Sequence, residues 1–554
     1  MVALKPLTVG YTTYNVYVMT VLTTLGGMIF GFDISSMSAY IGQDEYNIFF
    51  NSPDSVQQGG ITGAMPAGSF CTSLVAGFVA DKFGRRLAIQ TGSFLWMIGA
   101  AIQCSCRNEA QLIIGRFIAG MGIGFTSSEV PVYIAEVAPK NIRGRLVGVF
   151  QWAITWGILI MFYIGYGCSF LAGPKSFRTG WGIQIIPGFF LLLGTLIVPE
   201  SPRWLAKQDD WEAAIDIITK VQANGNYDDP QVIIEIEEIK EVIRIEKEAK
   251  SLSIIDLFRK DSINRTMVGI FGQIWQQLTG MNVLMYYIVY VFDMAGFSGN
   301  TNLVASSIQY VINVLMTVPY LLFVDKWGRR PMFIAGAILM MIWQFALAGT
   351  LATYSVPVTN FDNNYNVRLT IPPEHKTAAH AVIAFCYLFV ASFAPTWGPG
   401  MWTYISEIFP MRQRAVANGV CTAADWIFNF AITMFTPSAF TNITWKTYII
   451  FAVFNLVMTI HVYLLFPETK NKTLEEITQM WDEKVPAWRT ASWEPTIPIT
   501  AEKKLGHNLD ARADLEDAQS VEDQPVAAAT EPVAPVVAPV AEPIEGEHPP
   551  APEV

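Results

Sequence analysis

The sequence predicts an all-α membrane protein: twelve transmembrane helices in two pseudo-symmetric six-helix bundles, with cytoplasmic helices and a disordered C-terminal tail. Three observations lead there. Of 554 residues, 52% are hydrophobic and only 15% charged, and the apolar residues come in long blocks instead of the short periodic runs of soluble helices. Lys and Arg gather in alternate connections between those blocks. Several polar motifs occur twice, in the same order.

Crossing a hydrocarbon core of roughly 30 Å takes about 20 helical residues. Twelve blocks qualify, near 15–41, 60–80, 87–105, 111–135, 146–168, 179–198, 267–292, 303–324, 331–352, 378–404, 415–437 and 446–466. The first is too long for a cleaved signal peptide, and only Lys5 stands where a positive leader region would be. Connections after spans 2, 4, 8 and 10 carry Lys82, Arg85 and Arg86; Lys140, Arg143 and Arg145; Lys326, Arg329 and Arg330; and Arg412 and Arg414. All the opposite connections together hold only Arg107, Lys175, Arg178, Arg368, Lys376 and Lys446. The positive-inside rule then puts both termini in the cytoplasm.

The expected organisation is a cytoplasmic N-terminus (1–14), a first bundle (15–198), a cytoplasmic helical linker (199–266), a second bundle (267–466), a cytoplasmic segment (467–500) and a tail (501–554). The linker stretch EIEEIKEVIRIEKEAK has the charge interleaving of a solvated helix. The net charge of −11 is mostly the tail's, since 501–554 hold twelve Asp or Glu against three Lys or Arg. From about Pro525 the tail is Pro, Ala, Val and Glu, too poor in burial to offset its ordering entropy. It reads as a solvated linker or a docking site for cytoplasmic regulators.

The six cysteines lie in or beside spans without metal-ligand spacing, and the five His are scattered. No GxxxxGK[ST] loop is present. No cofactor, metal or nucleic-acid partner is expected. Nor is an enzyme, because no nucleophile, base and orienting group come together in the aqueous segments.

The repeat is specific. DKFGRR (Asp81 to Arg86) returns as DKWGRR (Asp325 to Arg330), YIAEVAPKNIRG (from Tyr133) as YISEIFPMRQRA (from Tyr404), and PESPRW (from Pro199) as PETKNKT (from Pro467). The offsets of 244, 271 and 268 residues describe two parallel halves. Such halves, with a site at the midplane between them, fit a transporter that works by alternating access. In each half the repeats put opposite charges on neighbouring connections, Glu136 and Arg143 in one and Glu407 and Arg414 in the other. Ion pairs between connections 2/3 and 4/5, and between 8/9 and 10/11, are therefore expected.

With QQLTGMNVLMYY (from Gln276), these motifs make the chain resemble the sugar porter family of the major facilitator superfamily, over roughly residues 15–485. GFDISSMSAY (from Gly31) looks like the fungal high-affinity glucose transporters. The resemblance implies a plasma-membrane carrier of monosaccharides: glucose, xylose and other hexoses. It also implies a cytoplasmic gate made by Asp81, Arg85, Arg86, Glu136, Arg143, Glu200 and Arg203, with Asp325, Arg329, Arg330, Glu407 and Arg414 in the second half.

Neutral amides suit a hexose, because each offers two donors and an acceptor without burying a charge. Span 7 supplies Gln276, Gln277 and Asn282, with Tyr286 one turn on. An ideal helix puts Gln276 and Asn282 about 120° apart, and Gly280 between them is placed to break it. By resemblance, Gln151, Asn313, Trp402 and Trp426 also contact the sugar. Asp425, where relatives usually carry an amide, is open to two roles: accepting sugar hydroxyls or carrying a proton. Asp33 in span 1 is an ionisable group in an apolar block, a functional candidate by its cost, with Arg116 as its partner. Resemblance to bacterial symporters assigns this pair to proton coupling; a structural ion pair in a uniporter and a non-transporting sugar receptor are the alternatives.

Overall fold

Each half of the chain begins its charged turn with a glycine that ordinary residues would not tolerate. Gly84 (φ +99°) and Gly328 (φ +87°) end one helix and start the next in DKFGRR and DKWGRR, a left-handed conformation that costs a residue with a Cβ atom. The computed structural model describes residues 12–139, 142–248, 254–260, 262–359, 366–470, 472 and 474–494. The acidic tail, and with it the expectation of disorder, lies outside them, as does most of 1–14.

The first half contains α1 (Val16–Tyr40), the short α2 (Asp44–Phe49), α3 (Ser55–Phe83), α4 (Arg85–Cys104), α5 (Glu109–Val137) and α6 (Arg143–Cys168), closing with α7 (Lys175–Ile183) and α8 (Ile185–Ile197) as one interrupted crossing. The described residues of the linker form three α-helices: α9 (Pro202–Lys207), α10 (Trp211–Ala223) and α11 (Pro230–Glu248). The second half runs α12 (Ile263–Leu278), α13 (Met281–Met294), α14 (Gly299–Trp327), α15 (Arg329–Tyr354), α16 (Lys376–Phe393), α17 (Trp397–Ile408), α18 (Met411–Asn442) and α19 (Lys446–Leu465), and α20 (Leu474–Asp482) follows. Between α15 and α16 lies a two-stranded antiparallel ladder, β1 (Val356–Pro357) with β2 (Leu369–Thr370). Its far end docks on α13, where Ile371 N–H donates to the Met294 carbonyl at 3.0 Å.

Eleven helical stretches among the described residues are long and apolar enough to span a membrane. The remaining expected crossing is split into α12 and α13, each too short alone. Local signals set the starts: Asp54 and Gln57 form a reciprocal capping box on α3, and Asn15 and Asn108 cap α1 and α5.

Lipid gives no hydrophobic reason for helices to associate, so contact depends on close approach. Gly31 shows this: a methyl there would collide with the Ile154 carbonyl oxygen of α6. The halves meet where α3 packs on α18 and α6 on α14.

Candidate functional site

The break between α12 and α13 decides which side chains share a space. Gly280 takes φ +86°. The carbonyl freed at Thr279 is taken by Gln344 Nε2 at 2.8 Å and Asn455 Nδ2 at 3.2 Å, so the interruption is satisfied inside the protein. A Cβ atom at 280 would lie 2.8 Å from Gln344 Nε2 and 2.9 Å from the Phe451 ring. Gly280→Ala is therefore expected to cost about 1–3 kcal/mol and to lower the yield of folded protein, measured by size-exclusion recovery in detergent.

With the helix broken, Gln276, Gln277 and Asn282 all line one cavity between the halves. Gln151 (α6), Asn313 (α14), Trp402 (α17) and Asp425 (α18) complete its polar and aromatic wall. The cavity is narrow, with about 50 Å³ open to the centre of a water-sized group. Its apolar lining comes mainly from α1 (Phe30, Ile34), α6 (Ile154, Ile158) and α13 (Met281, Met285), positions that carry no signal separating them from lipid-facing residues.

The amides are ordered by one another. Asn282 Nδ2 donates to Gln277 Oε1, and Gln277 Nε2 donates to Asp425 Oδ1 at 2.7 Å. Gln276 Nε2 donates to the carbonyls of Trp397 (3.0 Å) and Gly398 (2.8 Å), in the first turn of α17. Two buried acceptors, Gln276 Oε1 and Asp425 Oδ2, have no partner among the described residues. Each costs about 1–3 kcal/mol until something donates to it. Hydroxyl groups of a bound polyol are donors of the right kind.

Trp426 and Tyr286 fall outside the lining. Trp426 Nε1 donates to Ser127 Oγ at 3.1 Å, and its ring meets Phe30 edge-on at 4.8 Å, so it backs the wall from behind. Tyr286 is buried near Asn429 and the Asp33–Arg116 pair. A kink at Tyr287 (φ −123°, ψ 25°) interrupts α13 just after it.

Asp33 and Arg116 do meet, Nη2 to Oδ2 at 2.8 Å, with both side chains fully buried. Arg116 also donates to the Ile61 carbonyl at 2.9 Å, tying α1, α3 and α5 together. Asp33 Oδ1 and Arg116 Nη1 have no partner among the described residues.

The charged turns form matching clusters at the arginine-rich end. Arg85 grips both oxygens of Glu136 (3.1 and 3.2 Å) and pairs with Asp81 at 2.8 Å. Glu200 accepts from the backbone N–H groups of Arg85 (3.0 Å) and Arg86 (3.2 Å), and Ser201 Oγ donates to Glu136 at 2.5 Å. In the second half Arg329 grips Glu407 (2.8 and 3.2 Å) and Asp325 (3.3 Å). Glu468 accepts from Arg329 N–H (2.9 Å) and Arg330 N–H (3.0 Å), and Thr469 Oγ1 donates to Glu407 at 2.8 Å. Glu468 is thus the structural twin of Glu200, a match present in PETKNKT but not singled out from it.

Around these cores Arg86 donates to the Thr195 and Leu196 carbonyls (2.6 and 2.8 Å), Arg330 to Tyr463 (2.7 Å) and Arg414 to Phe409 (3.3 Å), while Arg203 faces Glu235 at 3.7 Å. Arg143 opens α6 beside Gly144, where a Cβ atom would sit 3.1 Å from Arg329 Nη2. Gly77 abuts the Ala415 carbonyl in the same way, 2.7 Å from an added Cβ atom. The two clusters are therefore pressed together and this end is shut. At the opposite end α13 lies on α1, and Tyr310 hydroxyl donates to Ser38 Oγ at 3.0 Å.

Comparison with known proteins agrees with this architecture. A profile of the family described as "Sugar (and other) transporter" matches residues 19–481. The chain is 55% identical to the "High-affinity glucose transporter 1" of Candida albicans over 498 residues, 90% of this chain and 91% of that one. It is 52% identical to the "High-affinity glucose transporter" of Kluyveromyces lactis over 497 residues, 89% and 90% of the two chains. Among solved structures it resembles the major facilitator superfamily proton:xylose symporter XylE bound to 6-bromo-6-deoxy-D-glucose, with TM-score 0.73 and 26% identity over 85% of this chain and 100% of that one. The chain belongs to the sugar transporter family of the major facilitator superfamily and is a multi-pass membrane protein.

Proposed function

We propose that this protein carries glucose, and also xylose and other hexoses, across the plasma membrane by alternating access, moving a proton with the sugar. Both termini and the arginine-rich end face the cytoplasm in this reading, as the distribution of Lys and Arg requires. The observation that carries the proposal is the amide-lined cavity with its two unpartnered acceptors, Gln276 Oε1 and Asp425 Oδ2. Gln151, Gln276, Gln277, Asn282, Asn313 and Asp425 hold the hydroxyls, and Trp402 packs on the apolar ring face. Trp426 and Tyr286 act one layer back, by fixing Phe30 and by facing the ion pair.

The Arg85 and Arg329 clusters are latches that keep the cytoplasmic end shut while the other opens. Each is a buried network, with Arg85 and Arg329 each holding two carboxylates, so its bonds must be exchanged for new partners or water together, since a buried charge left unpaired costs about 3–5 kcal/mol. Asp33 is the coupling group: protonation releases Arg116 and removes the constraint that ties α1 to α5. The relatives named as glucose transporters support the substrate, and the neighbour named as a proton:xylose symporter supports the coupling.

Uptake of labelled glucose in cells that lack hexose carriers, with and without a protonophore, tests this. Accumulation above the outside concentration that the protonophore abolishes is the expected result. Uptake that only equilibrates makes the chain a uniporter, and no uptake by protein present at the cell surface leaves a sugar receptor.

A further inference from the structure

Glu129 of α5 is a carboxyl group that neither the cavity nor the latches use. Its side chain is fully buried, and neither oxygen has a hydrogen-bond partner among the described residues. It stands seven residues before Glu136, so both project from one face of α5, about 10 Å apart along the axis. Phe125, one turn earlier on that face, packs with Ala76, Ala80 and Ala88, so the neighbourhood is apolar. An ionised carboxylate here, without a donor, would cost several kcal/mol; a neutral acid avoids that cost.

The charged groups within electrostatic reach are Arg85 on α4, Asp81 on α3, Glu136 on α5 itself and Glu200 before α9. Of the other elements on α5, α1 carries Asp33, held by Arg116; α17 carries Glu407, held by Arg329; and α9 carries Arg203, facing Glu235. Arg143 and Arg414 stand at the arginine-rich ends of α6 and α18. Arg85 is therefore the cation placed to serve Glu129, and it is engaged elsewhere: Nε and Nη2 on Glu136, Nη1 on Asp81 and the Ala80 carbonyl. That engagement belongs to the shut end, where Ser201 of the linker holds Glu136 in place and α3 is pressed on α18.

We propose that Glu129 is a second proton-binding site, protonated while the arginine-rich end is shut and deprotonated when it opens, as Arg85 moves from Glu136 to Glu129. In that step the O–H bond of the Glu129 carboxyl breaks and the proton passes to water admitted at the opening end. The electron pair stays on the carboxylate, whose charge Arg85 then balances. The open form binds one proton fewer, so alkalinity on that side favours opening, by at most about tenfold per pH unit. The inference rests on the alternating-access reading but needs no sugar to be tested.

Ala415, buried against Gly77 across the shut end, reports the opening. Ala415→Cys is introduced with and without Glu129→Gln, and modification by a membrane-impermeant thiol reagent is followed against pH in purified protein. The chain without the new cysteine gives the background. The two cysteine-bearing chains share the same thiol chemistry, so the difference between them isolates opening. Modification is expected to rise with pH more steeply when Glu129 is present, the ratio of the two chains growing by up to about tenfold per unit, while in E129Q it rises only as the thiol itself ionises. Equal pH dependence in the two chains overturns the proposal. So does failure of E129Q to fold where Glu129→Asp folds, since Gln copies the shape and charge of the neutral acid. Failure of the sugar-transport reading would show in uptake and leave this difference untouched.

Discussion

Gln277→Ala is expected to raise the glucose concentration giving half-maximal transport by about ten- to a hundredfold, with the protein reaching the membrane in near-normal amount. Gln277 is the middle of a chain of three, accepting from Asn282 and donating to Asp425 at 2.7 Å. Its removal takes the only hydrogen bond that the Asp425 side chain makes among the described residues, leaving a buried carboxyl with neither oxygen served. It also frees the Asn282 amide to rotate. Each buried hydrogen bond lost from one side costs about 1–3 kcal/mol, and 1.4 kcal/mol is a factor of ten in binding. Gln277→Glu is expected to be worse than Ala, since it sets a second carboxyl against Asp425 in a site with little water. Initial rates of labelled-glucose uptake over a range of concentrations decide the matter. An unchanged half-saturation in the Ala variant would remove Gln277 from the site and with it the reason for the break at Gly280.

What could be read from the sequence follows from where chemistry is local. The charged turns were legible because a glycine with positive φ, a run of Arg and a carboxylate on the next connection each act through neighbours within a few residues or through a simple topology rule. The pairs Arg85 with Glu136 and Arg329 with Glu407 join the connections expected to meet. The break in span 7 was legible for the same reason, because Gly280 sits between amides whose phases disagree on an unbroken helix. Its carbonyl partners, Gln344 and Asn455, were not, since they come from α15 and α19 and read alone as interhelical polar residues.

The placement of side chains in the cavity shows the limit more closely. Trp426 is next to Asp425 in sequence, yet only Asp425 lines the cavity, since adjacent helical residues point about 100° apart. Tyr286 is one turn from Asn282, about 40° round the helix, yet its ring is buried near Asn429 and the Asp33–Arg116 pair and not in the cavity wall. Phe30, Ile34 and Phe393 line the cavity with side chains no different in kind from those that face lipid. Glu129 gave no motif at all, and its buried isolation emerges only when α3, α4 and α5 are packed.

The second large effect is expected from Asp33→Asn, which should destabilise the protein by about 3–5 kcal/mol, because it leaves Arg116 charged and buried without its partner. That loss by itself says nothing about coupling, since any fully buried ion pair behaves so when halved. The double variant Asp33→Asn with Arg116→Gln separates the two roles. Replacing both members removes the unpaired charge, and such replacements of buried pairs are often near neutral. Thermal unfolding in detergent is therefore expected to return most of the way to the parent. If Asp33 carries the coupling proton, the double variant still equilibrates glucose but no longer accumulates it under an imposed proton gradient. A purely structural pair predicts instead a double variant that matches the parent in accumulation as well as in stability. Because Arg116 also ties α5 to the Ile61 carbonyl of α3 at 2.9 Å, a contact Gln is too short to copy, a modest residual loss of stability is expected even when coupling is the only function removed.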